Sequence, residues 1–217
     1  MKKLLTTLLL PAALAGLMPT AQAQDAKAGE KKIAMCIGCH GIPGYQASFP
    51  EIHKVPMIAG QSAKYIVTAL GEYKKGDRKH PTMRAITASL SDQDMADIAA
   101  FYTQQGQLAD EAAPKTAPEA PAQVAELLKR GNCVSCHGAN FSTPIDSSYP
   151  KLGGQHADYL FVALKAYQMR NNAQVGRGNP VMGGMAAPFS HQELKLLAQY
   201  IGSLPGDLKT VPESRFR

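Results

Sequence analysis

All four cysteines of the 217-residue chain fall in two copies of one pattern, Cys36-Ile37-Gly38-Cys39-His40 and Cys133-Val134-Ser135-Cys136-His137. On a helix, residues at i, i+3 and i+4 lean to one side, so two thiols and an imidazole face a common object. Thiols at this spacing can form thioethers to the two vinyl groups of a porphyrin lying edge-on to the helix, while the adjacent imidazole reaches its iron. That is the attachment pattern of a c-type haem. A thioredoxin-like redox pair belongs beside a βαβ unit, which the sequence lacks. Zinc needs a further ligand in each copy, yet His53 and His80 have no histidine in the aligned second copy, and His156 and His191 have none in the first. Disulfides within each pair are the last alternative. They stand against a pattern that occurs twice, takes every cysteine and follows an export signal.

The rest of the chain repeats with the motif. Cys36 and Cys133 lie 97 residues apart, half of the 194 that follow residue 23. Pro56 to Tyr73 matches Pro150 to Tyr167, and Pro81 to Tyr102 aligns with Pro180 to Ile201, in the same order. Such self-similarity marks a tandem duplication. Between the copies, Gly106 to Gln123 is rich in Ala and Pro, with Pro114, Pro118 and Pro121 favouring an extended, semi-rigid spacer.

Each copy reads as three helices with no predicted strands. The first runs from Ala26 to about Cys39, or from Gln123 to about Cys136, and stops at Gly41 or Gly138. The second follows Gly60-Gln61 or Gly154-Gln155 and places Tyr65, Leu70 and Tyr73, or Tyr159, Leu164 and Tyr167, at helical spacing. The third opens on Ser91 with Asp94, or Ser190 with Glu193, at capping-box spacing. So little regular structure in a unit of about 90 residues forms a small core, and something else must fill its centre.

An iron held by one imidazole has a sixth position to fill. Met83 and Met182 each lie eight residues before the capping serine and two after a proline. A lone methionine is ordinary core filler, which is how Met35, Met57, Met95 and Met169 read. Paired methionines at equivalent positions are different, and His/Met ligation raises the potential relative to bis-His. Met185, aligned with Ile86 in a glycine-rich loop, stays open as the alternative to Met182.

The N-terminal residues place Lys2 and Lys3 before an apolar run from Leu4 to Met18, followed by a small-x-small site at Ala21-Gln22-Ala23. This reads as a Sec signal peptide over 1–23. The run is shorter than the ~20 residues of a spanning helix. The formal charge is +6; without Lys2 and Lys3 it is +4, all of it on residues 122–217. The basic residues are scattered and not interleaved with aromatics, which argues against a nucleic-acid partner.

The two Cys-x-x-Cys-His motifs, the Pro-x-x-x-Gly-Gln after each and the Met-x7-Ser spacing together make the chain similar to class I cytochromes c. Within them it resembles the dihaem c4 type, over Gln24 to about Pro205. The resemblance implies an all-α fold of two tandem class I cytochrome c domains related by pseudo-twofold symmetry, at 24–110 and 122–217, joined by an Ala/Pro-rich linker at 111–121. It implies two covalently bound haem c groups on Cys36, Cys39, Cys133 and Cys136. Their irons would be held by proximal His40 and His137 and distal Met83 and Met182, with the carbonyls of Pro56 and Pro150 accepting from the imidazoles. Ala28 and Ala125 would be the small residues where first and last helices cross, facing Phe101 and Tyr200.

The implied function is a periplasmic electron carrier, not an enzyme, running between a membrane quinol-oxidising complex and a terminal oxidase or other periplasmic redox enzyme. A peripheral contact with the membrane is left open. The alternative is the dihaem subunit of a periplasmic dehydrogenase complex. A dihaem peroxidase needs a displaceable sixth ligand, against which the paired methionines argue. Unequal loops, longer after His40 than after His137 and longer before Met182 than before Met83, imply haems of unequal exposure and potential.

Overall fold

A computed structural model of the protein describes residues 24–107 and 116–212. The expected signal peptide at 1–23 and part of the expected linker, 108–115, lie outside them. The first copy holds α1 (Ala26–Glu30), α2 (Ala34–His40), α3 (Ala63–Lys75), α4 (Pro81–Ala88) and α5 (Asp92–Gln107). The second holds α6 (Ala122–Arg130), α7 (Val134–His137), α8 (Ala157–Gln168), α9 (Pro180–Ala186) and α10 (His191–Ser203).

The expected first helix is broken in both copies. In the first, backbone bonds from Lys31 to Ala28 and from Cys36 to Ile33 tighten the chain between α1 and α2, as short 3₁₀-type turns do. The break lets α1 rest on α5 while Ile33 and Ile37 point into the core, at 1% and 5% exposure. In the second, Gly131 and the left-handed Asn132 (φ 45°) separate α6 from α7. The helices carrying the paired methionines, α4 and α9, were not expected; a proline at the first position of each starts them.

The first-to-last helix crossing also differs from expectation. Gly29, not Ala28, makes the close approach, since a Cβ there would stand 2.1 Å from the Asp97 carbonyl oxygen. In the second copy Ala125 is exposed, and Val124 and Leu127 supply the buried face of α6. Phe101 is buried in the first core beside Ile33, Ile37 and Tyr102. Tyr200 sits at the edge of the second core, its hydroxyl donating to the Pro118 carbonyl at 2.8 Å. Both capping boxes form: Asp94 N–H donates to Ser91 Oγ at 3.1 Å and Glu193 N–H to Ser190 Oγ at 3.3 Å, with each carboxylate returning to the serine N–H.

Four two-residue strands appear among the described residues, too short to carry a period in sequence. β1 (Gln46–Ala47) and β2 (His53–Lys54) pair antiparallel inside the long loop after His40. β3 (Arg78–Lys79) and β4 (Gly176–Arg177) pair across the two copies, with Arg78 opposite Arg177. Lys64 to Asp146 at 3.0 Å and Lys165 to Glu51 add ion pairs across the same contact. The tail after α10 then crosses back: Lys209 N–H donates to the Ala59 carbonyl at 3.0 Å, and Val211 packs against the first core. Among the described residues, no helix is long and apolar enough to cross a membrane.

Asp97 ties the first domain together. Only 2% exposed, its carboxylate accepts from Asp25 N–H at 3.0 Å, Lys32 Nζ at 2.8 Å and Gln93 Nε2 at 2.6 Å. The Lys32 bond, reinforced by the Asp25 N–H, holds its pKa below the usual carboxylate value. A carboxyl group depressed in the folded state stabilises at pH values above its unfolded pKa of about 3.9, and that contribution is lost as pH falls through the folded value. Asp97→Asn is therefore expected to cost about 1.5–3 kcal/mol at neutral pH. The difference from wild type should shrink on acidification below about pH 4, as denaturant melts across a pH series will show.

Candidate haem sites

The two motifs lie on α2 and on α7 with its N-cap residue, Cys133. All four cysteines are half-buried, and none is joined to another in a disulfide. Burial pushes the Cys36 thiol up to about 11, against a smaller opposing pull from the Tyr102 hydroxyl, and raises Cys133 as well. His40 Nδ1 donates to the Pro56 carbonyl at 2.9 Å, and His137 Nδ1 to that of Pro150 at 3.1 Å. A carbonyl can only accept, so each ring keeps its proton on Nδ1 and its lone pair on Nε2. Burial lowers both imidazole pKa values, which favours the same neutral form.

Met83 and Met182 occupy the same place in equivalent helices. Each is the third residue of its helix, and its N–H meets an N-cap side chain, His80 Nδ1 at 3.4 Å or Asn179 Oδ1 at 3.0 Å. Met83 and Met182 are half-buried, whereas Met185 is 44% exposed, one turn further along α9. The remaining histidines have other duties. Besides capping α4, His80 meets the Phe49 ring edge-on. His53 is buried on the Glu51 carbonyl beside Tyr159, His156 stands at the N-cap position of α8 without a capping bond from its side chain, and His191 begins α10. Among the described residues, no three His, Cys, Asp or Glu side chains converge as a metal-ion cluster.

A second matched set went unnoticed in the sequence. Arg78 and Arg177 each lie five residues before the paired methionine, so the repeat that singles out Met83 and Met182 also marks them. Arg78 is 6% exposed, its guanidinium 5.4 Å from the Tyr65 ring centroid and 5.7 Å from that of Tyr73. Arg177 stands at 5.6 Å from Tyr159 and 5.3 Å from Tyr167. Both donate to tyrosine hydroxyls, Arg78 to Tyr65 at 3.2 Å and Arg177 to Tyr159 at 2.9 Å. Glu72 bonds to Arg78, but position 166, the equivalent in the second copy, is alanine. The five extra residues of the second loop precede Arg177 and leave the Arg-to-Met spacing intact.

A family model described as Cytochrome c matches residues 26–105 and again 121–205. The chain belongs to the cytochrome c family. It is 33% identical to cytochrome c4 of Azotobacter vinelandii, over 94% of this chain and 100% of that relative. It is 32% identical to a thiosulfate dehydrogenase electron acceptor of Stutzerimonas stutzeri (strain A1501), over 89% of this chain and 93% of that one. The crystal structure of reduced recombinant cytochrome c4 from Pseudomonas stutzeri matches at TM-score 0.62 and 31% identity, covering 84% of this chain and all of the other. This cytochrome is accordingly of the dihaem c4 type, two class I domains with a covalently bound haem c in each.

The residues fit that cofactor. An imidazole oriented with its lone pair on Nε2 and two cysteines stand on one short helical segment in each domain. At the interface Arg78 is bonded to a carboxylate, Glu72, and Arg177 to the Tyr159 hydroxyl. Charge taken out of water needs a counter-charge, and the carboxylates of haem are of the right sign. The cap beneath Met182 gives a direct test of the local framework. Asn179→Ala should cost about 1 kcal/mol by freeing the Met182 N–H, and Asn179→Ser should recover most of it, as read by denaturant unfolding of the holoprotein.

Proposed function

We propose that this cytochrome is a periplasmic two-haem electron carrier in which His40 with Met83, and His137 with Met182, hold the two irons. One observation carries the proposal: both domains present an imidazole fixed on a proline carbonyl, together with a methionine at the same helical position. Haem, when bound, supplies a one-electron iron couple. The chain's own residues do the rest. The four cysteines tether the group, the Nδ1 bonds stop the imidazoles from rotating, and the helix caps hold the methionine backbones. A ligand set that persists through oxidation and reduction keeps rearrangement small, and burial with axial ligation sets the potential. Arg78 and Arg177 offset the haem carboxylates, and the interface they share keeps the two groups near one another.

Export is supported by the leader at 1–23 and by the covalent attachment of haem. A membrane quinol-oxidising complex as donor and a terminal oxidase or other periplasmic reductase as acceptor follow from the resemblance. A second reading, a periplasmic dehydrogenase as donor, is favoured by the likeness to a thiosulfate dehydrogenase electron acceptor. Reduction of the purified protein by quinol-charged membranes, set against reduction by thiosulfate dehydrogenase, separates the two.

Met182→Ala should remove the near-infrared sulfur-to-iron band of the second haem and lower its potential, while Met185→Ala leaves both. The reverse result would move the ligand to Met185. Electron exchange between the haems should also be independent of protein concentration after partial reduction by a flash; a rate that scales with concentration would reduce the protein to two unconnected carriers.

A further inference from the structure

The Pro-x-x-x-Gly-Gln motif holds more than its proline explains. Gly60 and Gly154 are left-handed, with φ of 89° and 75°, a conformation that side-chain-bearing residues rarely adopt. Each is followed by a glutamine that is almost fully buried, Gln61 at 4% and Gln155 at 3% exposure. Neither amide serves mainly its own domain. Gln155 Oε1 accepts from Met57 N–H at 3.0 Å, and its Nε2 donates to the Met57 carbonyl at 2.9 Å. Reciprocally, Gln61 Oε1 accepts from Lys151 N–H at 2.8 Å, and its Nε2 donates to the Lys151 carbonyl at 3.0 Å.

Met57 and Lys151 directly follow Pro56 and Pro150. The Met57 N–H and the Pro56 carbonyl therefore belong to one peptide unit, and that carbonyl accepts from His40. The same holds for Lys151, Pro150 and His137. We infer that Gln155 and Gln61 are positioning residues for the proximal histidine of the opposite domain, acting through the peptide that joins them. When an amide N–H donates, its own carbonyl oxygen becomes more negative, and linked hydrogen bonds strengthen one another by roughly 10–30%. A stronger acceptor draws the Nδ1 proton outward and makes the imidazole a better electron donor to iron, as outer-shell partners of metal-bound histidines do. Each domain thereby lowers the potential of the other's haem. Docking and redox tuning become one interaction.

The inference rests on the ligand assignment proposed above for His40 and His137, and the experiment separates the two. In the intact wild-type holoprotein, NMR should show a hyperfine-shifted imidazole Nδ1–H at each haem, and exchange-protected amides for Met57 and Lys151. Absence of those imidazole protons defeats the ligand assignment; their presence with rapidly exchanging Met57 and Lys151 amides defeats the relay alone. Gln155→Met, of similar size but without the amide, should move the Nδ1–H signal of the haem on Cys36 and Cys39. It should also shift the electron distribution in half-reduced protein a few-fold toward that haem. Gln61→Met should shift the distribution in the opposite sense, toward the haem on Cys133 and Cys136. Lys64→Ala removes an exposed cross-domain ion pair and should leave the distribution unchanged. Shifts of the same sense in both glutamine variants, a change confined to the variant's own domain, or no change would overturn the inference.

Discussion

The structure depends on one short-range bond made twice, from an imidazole to the carbonyl of a proline downstream. It selects the tautomer, and it makes the chain return from the attachment helix to the same side of the domain. In the first copy 15 residues separate His40 from Pro56, and a β-hairpin takes up the slack; in the second 12 residues separate His137 from Pro150, and turns suffice. Each proline carbonyl shares its peptide unit with the N–H of the next residue, Met57 or Lys151, and that N–H donates to a glutamine of the other copy. The constraint on each imidazole thereby extends into the neighbouring domain.

Charge sets the second condition. Arg78 and Arg177 face each other across the β3–β4 pairing, flanked by four tyrosines, with Glu72 bonded to Arg78. Two like charges in poorly solvated surroundings repel, so the pairing is favourable only with anions at hand. The carboxylates of bound haem would supply further negative charge of the sign these guanidiniums need.

The duplication is not a mirror of identical halves. α1 rests on α5 through Gly29 with almost no gap, whereas α6 offers Val124 and Leu127 to its own core. The tail from Lys209 to Val211 leaves the second domain to cover the first, so the first is incomplete without the last residues of the second. These differences, together with the unequal ligand loops, give the two haems different surroundings despite the same ligand pattern. An electron passing through the protein then meets two unequal sites held by one scaffold.

The duplication, the attachment motifs, the matched methionines and the capping boxes were all legible in the amino-acid sequence. Each depends on spacing within a few residues, or on register between copies, and such patterns survive without knowledge of the fold. Arg78 and Arg177 share the same register between copies, but an arginine in a loop has no periodicity of its own to set it apart. The breaks between α1 and α2 and between α6 and α7, the approach at Gly29 and the two-residue strands were decided by packing. So were the β3–β4 pairing and the crossing of Gln61 to Lys151 and Gln155 to Met57. The Gly29 approach, the β3–β4 pairing and the two glutamine crossings join residues 68 to 99 positions apart, and nothing local encodes them. They form only when burial forces backbone donors and acceptors to find partners across the interface.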